Sequence, residues 1–267
     1  MRASHWIAIA VASLALPWTV PSRALAETAQ MRQMTWIDIA AAIERGTTTV
    51  IVPTGGIEQN GPHMLLGKHD IIVTAAAERI AGAIGLVLVA PVVSFVPQGD
   101  IAPATTNMLF PGTIGVSQSV FEGLLEDIAR SLKHAGFKDI VFIGDHGLSQ
   151  NGQARVAAKL TRDWVWSGVR VHHLDQYYDD RAQITSLKVE GETVASIGQH
   201  ASLIDTAELM SVDARAVDLG RLAAVQGDLG RVGASGEPAR ATIARGARLL
   251  KMRVEAATMQ LRAVLKR

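Results

Sequence analysis

The chain has no cysteine, so it can form no disulfide and can hold no metal through a thiolate. Any metal it binds must be held by histidine, aspartate or glutamate. It has almost no net charge, a formal +1 over 267 residues, and therefore no broad basic field that would draw in nucleic acid. It lacks low-complexity tracts and repeats at solenoid periods. Beyond its first two dozen residues it also lacks an apolar run long enough to span a bilayer. What is left is a globular composition, 48% hydrophobic and 19% charged, with an ample core.

Residues 1–26 read as a secretory signal peptide. Arg2 gives a thin positive start, Trp6 to Val20 is apolar, and Ala24-Leu25-Ala26 is a small-residue cleavage pattern. The run is short for an anchor and is interrupted by Pro17 and followed by Pro21. The plainer alternative is a buried or disordered amino-terminal segment. On the signal reading the mature protein is periplasmic or secreted, with no membrane association after cleavage. Residues 27–267 are then expected to form one domain.

Short β-branched runs alternate with amphipathic segments along that mature chain. Strands are expected at Thr47 to Val52, Leu86 to Val93, Lys138 to Ile143 and Val169 to Leu174. Helices are expected at Thr35 to Arg45, Ile71 to Ile84, Gln118 to His134, Asn151 to Trp164 and Ala239 to Leu265. Such alternation implies a mostly parallel sheet with helices on both faces.

Chemistry concentrates where the first strand ends. Pro53 to Asp70 holds Glu58, Asn60, His63, His69 and Asp70. A loop at the carboxyl end of a strand is where an α/β protein usually places its site. Carboxylate and imidazole together suit zinc, manganese or iron better than calcium or magnesium. On spacing alone, a polar surface loop with solvating histidines fits equally well. The third strand runs out into Gly144-Asp145-His146-Gly147, which parallel pairing would bring beside the first loop. His172 and His173 are adjacent on a strand and must face opposite ways, so they do not share a site easily. Asp175, Tyr177 and Tyr178 follow at that strand's end.

Glu58-Gln59-Asn60-Gly61-Pro62-His63 and Gly67-Lys68-His69 resemble, without a gap, the signature of the creatininase (creatinine amidohydrolase) family. Three later stretches are similar to the same family. They are Phe110-Pro111-Gly112-Thr113, the turn at His146, and Gln199 to Glu208; Gly233 to Gly246 also matches its closing pattern. The departures are specific. Asn60 stands for the family's first histidine, His69 for its aspartate, Leu148 for a metal-binding glutamate and Gln199 for the glutamate before the proton-transfer histidine.

The resemblance implies an α/β fold, a three-layer α/β/α sandwich with a mostly parallel central sheet. It also implies a metal-dependent amidohydrolase that opens a cyclic or linear C–N amide bond of a small molecule through a metal-activated water. Because two ligands of a second metal are replaced, the site is expected to hold one ion, zinc ahead of manganese or iron. Glu58, His69 and His146 are the expected ligands, with Asp205 completing the shell or orienting the water. His200 is the expected donor of a proton to the leaving nitrogen, and Asn60 is expected to hydrogen-bond the carbonyl or the water. Creatinine itself is not the favoured substrate. A homo-oligomer, a hexamer by resemblance, is expected. Two other functions stay open: a lactonase or esterase using the same site, and a non-catalytic metal or small-molecule binding protein.

Overall fold

The computed structural model describes residues 29–225 and 228–266; the expected signal segment lies outside the described residues. Helix α1 (Trp36–Glu44) opens on a reciprocal cap in which Thr35 and Asp38 satisfy each other's backbone N–H groups. The chain then alternates through β1 (Thr49–Thr54), α2 (Lys68–Ile84), β2 (Val87–Val89), α3 (Gln118–Ala135), β3 (Asp139–Gly144), α4 (Gln150–Asp163) and β4 (Arg170–His173). The remainder is helical: α5 (Arg181–Val189), single turns α6 (Val194–Ile197) and α8 (Gly220–Ala223), α7 (Leu203–Val212), and the long α9 (Ile243–Leu265).

The four strands form one parallel sheet in the order β2-β1-β3-β4. Side chains alternate across it as the two-residue period demands. Val50, Val52, Ile140 and Phe142 face one way, onto α1, α3 and α4. Ile51, Val141 and Ile143 face the other way, onto α2, α7 and α9. This is the expected three-layer α/β/α arrangement. Both faces of the central strands are covered, which is why they read as continuous apolar runs rather than alternating ones.

Boundaries shift for local reasons. β2 stops at Val89 because Pro91 has no N–H to continue the ladder. Helix α2 begins at Lys68, three residues ahead of its apolar stripe, and so brings Lys68 and His69 into its first turn. Pro238–Arg240 is a separate 3₁₀ turn, and α9 starts only after Thr242 caps Arg245. His200 precedes helix α7 rather than beginning it, since Ser202 is the capping residue and Ala201 takes a left-handed φ of 46°.

One close approach fixes the layer behind the site. A Cβ on Gly246 of α9 would lie 1.7 Å from the carbonyl oxygen of Ala207 on α7. Backbone cannot yield that much, so Gly246→Ala is expected to lower stability by about 3 kcal/mol, at the upper end of overpacking costs. Urea unfolding measures it; an unchanged midpoint would show that the two helices are free to separate.

Candidate metal site

Three side chains, two from past strand ends and one from a helix start, meet in the interior. Glu58 comes from the loop after β1, His69 from the first turn of α2, and His146 from the turn after β3. β1 and β3 are neighbours in register from Thr49↔Asp139 to Thr54↔Gly144, so their exits lie side by side. Gly55 makes the first exit possible: a Cβ there would meet Asp70 backbone at 2.8 Å. Asp70 itself is spent on this loop, accepting from Gly56 N at 2.9 Å and from the Ser94 hydroxyl.

His69 Nε2 lies 2.6 Å from Glu58 Oε1, and His146 Nε2 lies 2.9 Å from Glu58 Oε2. The two rings are nearly perpendicular, with centroids 5.2 Å apart. One ligand atom from each of the three residues falls within 4.8 Å of the others, and all three side chains are buried. Glu58 is fully buried, which would raise its pKa, but His69 and His146 outweigh burial and hold it well below the usual carboxylate range. Asn107, from the long segment after β2, donates to Glu58 Oε2.

Behind His69 stands Asp145, whose Oδ2 accepts from Nδ1 at 2.7 Å. Burial and Lys68 push the His69 pKa down, while Glu58 and Asp145 overcome them and raise it. His146 goes the other way: burial lowers it and Glu58 only partly compensates. Asp145 is fixed in turn by the Tyr177 hydroxyl at 3.0 Å and by Arg253 at 2.7 Å. Arg253 also donates to Glu208 at 2.8 Å and to the Tyr177 carbonyl at 2.9 Å.

A pocket of about 340 Å³ opens over this group, with His200, Asp205, Lys68 and Tyr178 on its wall. His200 Nε2 is held by Gln59, at 3.0 Å from the carbonyl and 2.8 Å from the side-chain amide. Its Nδ1 is turned to Glu58 at 3.9 Å. Burial and then Lys68 lower the His200 pKa. Burial pushes Tyr178 up to about 12, helped by Asp145 and Asp205, so it keeps its hydroxyl proton.

The structure thus brings Glu58, His69 and His146 together and sets His200 beside them. It separates two other expected residues from them. Asp205 is on the pocket wall but outside the metal-ligand group. Its Oδ1 takes the Lys68 ammonium at 3.0 Å, and its Oδ2 caps α7 by accepting from Ser202. Asn60 is buried in the loop and does not line the pocket. Its amide donates to the carbonyls of Glu58, Leu65 and Leu66 at 3.0, 3.1 and 3.3 Å. His63 is likewise structural, bonding Thr206 at 2.9 Å with a pKa pushed down to about 4 by burial. His172 and His173 do diverge, toward Asp139 and Gln150.

The sequence alone assigns no role to Asp145, Lys68, Arg253 or Glu208, which the structure ties to this group. Arg253 had left a signal: it interrupts the apolar stripe Leu249, Leu250, Val254, Ala257 and Leu261 of α9.

The model of the creatininase family, described as creatinine amidohydrolase, matches residues 32–261. The chain belongs to the creatininase family. The creatinine amidohydrolase of Pseudomonas putida is 26% identical over 195 residues, covering 71% of this chain and 74% of that one. The mycofactocin precursor peptide peptidase of Mycolicibacterium smegmatis is 29% identical over 212 residues, covering 75% and 78%. A crystal structure of creatininase superposes with a TM-score of 0.71 at 21% identity, over 89% of this chain and 98% of that one. A manganese form and a Zn–Zn type mutant form of creatininase superpose equally well, at TM-scores of 0.71 and 0.72 and 22% identity. Membership places this chain among hydrolases acting on carbon–nitrogen bonds, and the Glu58, His69, His146 group supports a metal-dependent reaction.

Proposed function

We propose that this member of the creatininase family hydrolyses an amide bond, cyclic or linear, in a small molecule, using one divalent ion held by Glu58, His69 and His146. The observation that carries this reading is the convergence of one carboxylate and two imidazoles within 4.8 Å at the floor of a pocket. One carboxylate and two imidazoles form a donor set that suits zinc or manganese and leaves a position open for chemistry. When bound, the ion supplies Lewis acidity, polarising a carbonyl and activating water.

The chain's own groups have definable work. Asp145 fixes the ring of His69 and makes it a better donor, as carboxylates behind metal-bound histidines do. Asn107 holds Glu58 Oε2. For His146 to ligate through Nε2, its proton moves to Nδ1, giving up only a long 3.3 Å bond from Leu148 N. His200, with Nε2 anchored on Gln59, keeps Nδ1 facing the pocket and is the group placed to carry a proton to the leaving nitrogen.

The test is a hydrolysis screen of cyclic amides, short peptides and lactones on metal-loaded protein, with and without chelator. Amine release that chelator abolishes and zinc or manganese restores is the expected result. Cleavage of lactones alone would favour the esterase reading; a metal-loaded but inert protein would favour a binding role. Export through residues 1–26 and assembly as a homo-oligomer belong to the same proposal. A mature amino terminus at Glu27 and the mass by light scattering check them.

A further inference from the structure

Lys68 is almost fully buried, at 1% exposure, in the wall of a pocket that holds several carboxylates. Its ammonium lies 3.0 Å from Asp205 Oδ1 and 4.0 Å from Glu58 Oε1. His200 Nδ1 stands on the same side, 3.9 Å from that Glu58 oxygen. The pattern is carboxylate, cation, carboxylate, with an imidazole beside it. Carboxylates on two sides of one point are what a divalent ion also seeks, and His200 stands against the Glu58 side of that point. Here the chain supplies the cation itself.

This cation is fixed by covalent structure and by helix geometry. Lys68 is the first residue of α2, and its neighbour His69 is committed to Glu58 and Asp145. Asp205 is equally committed, since its other oxygen caps α7. An ion entering between Glu58 and Asp205 would sit within contact distance of the ammonium. Like charges that close, away from water, repel by many times the thermal energy.

We propose that the Lys68 ammonium occupies a second cation position beside the metal site, so that the chain takes one ion where the pocket's carboxylates could hold two. The proposal rests on Glu58, His69 and His146 holding the first ion. It makes Lys68 a positioning residue. The ammonium keeps the Glu58 and Asp205 carboxylates a fixed distance apart, and it offers N–H donors where a second ion would offer an open coordination position.

The experiment is a metal count. Wild type, Lys68→Ala, Lys68→Ser and the double variant Lys68→Ala with Asp205→Asn are each saturated with zinc. Each is then freed of excess metal by gel filtration and analysed for zinc per chain, with circular dichroism to confirm folding. The expected ratios are one for wild type, two for Lys68→Ala and Lys68→Ser, and one for the double variant. Lys68→Ser keeps the test alive if Lys68→Ala does not fold, because the smaller change leaves a hydroxyl facing Asp205. Two ions on the wild type would overturn this inference and leave the first site standing. So would folded Lys68 variants that stay at one. A wild type with no zinc would overturn the first site, and this inference with it.

Discussion

Glu58→Gln is expected to yield folded protein that retains no zinc after gel filtration and has lost amide hydrolysis roughly 10³-fold or more. Several kcal/mol of transition-state stabilisation leave with a catalytic ion, and each 1.36 kcal/mol is a factor of ten. The physical reason lies in the two oxygens. Oε1 faces His69 at 2.6 Å and Oε2 faces His146 at 2.9 Å, with no solvent to adjust the pair. A glutamine offers one acceptor and one amide, so one ring would confront an N–H instead of an oxygen. The variant also loses the charge that an imidazole-rich site needs to hold a divalent cation. Metal analysis and steady-state kinetics read the two effects separately. Full metal content with full activity would remove Glu58 from the site.

The largest effect on stability is expected from Arg253→Met. The guanidinium joins Asp145 at 2.7 Å and Glu208 at 2.8 Å, and also lies 4.2 Å from the Tyr177 ring centroid. Burial would raise the Asp145 pKa, yet Arg253 and His69 together lower it; Glu208 is raised by burial despite Arg253. Taking away the cation strands two buried carboxylates, and breaking such a pair costs about 3–5 kcal/mol. For a chain of this size that is a fall of roughly 10 °C in Tm. Because Asp145 aims His69, metal affinity should fall as well, by about 10- to 100-fold, the usual size of an effect acting through a ligand's partner. Asp145→Asn should reproduce the affinity loss through the same partner. Thermal melts with zinc titrations on both variants check this. An Arg253→Met protein as stable as wild type would mean that Asp145 and Glu208 are neutral without it.

The fold was legible because its strands are buried on both sides. Thr47 to Val52 and Lys138 to Ile143 carry mostly β-branched and apolar residues, as strands covered on both faces do. Strand pairing accounts for the approach of Glu58 and His146, which lie just past those two strands; a metal-holding role for them was legible only through the family resemblance, since spacing alone left a solvated loop open. Asn60 and Asp205 stand apart from the metal group for one shared reason. Short polar side chains beside a loop or helix start have local backbone groups to satisfy, and these won. The pattern was visible at Ser202 to Asp205, a capping box with aspartate in the reciprocal position. Arg253 and Lys68 were missed because a charge on a buried face gives no hint of its partners, which here lie 45 and 137 residues away in sequence.

The two halves of the site have different mechanical backing. Glu58 and His146 stand just past two adjoining strands whose pairing is unbroken over six residues. The pocket wall, by contrast, is assembled from separate stretches: Asn107 after β2, Tyr178 after β4, and His200 and Asp205 around the start of α7. None of those stretches is needed to keep the two strand ends adjacent. Apart from Asn107 and His200, the wall can therefore be redrawn, by insertion or substitution, while the two strand-end ligands stay where they are. The architecture behaves as a constant anvil beneath an interchangeable mould, and a change of substrate needs no change in the sheet.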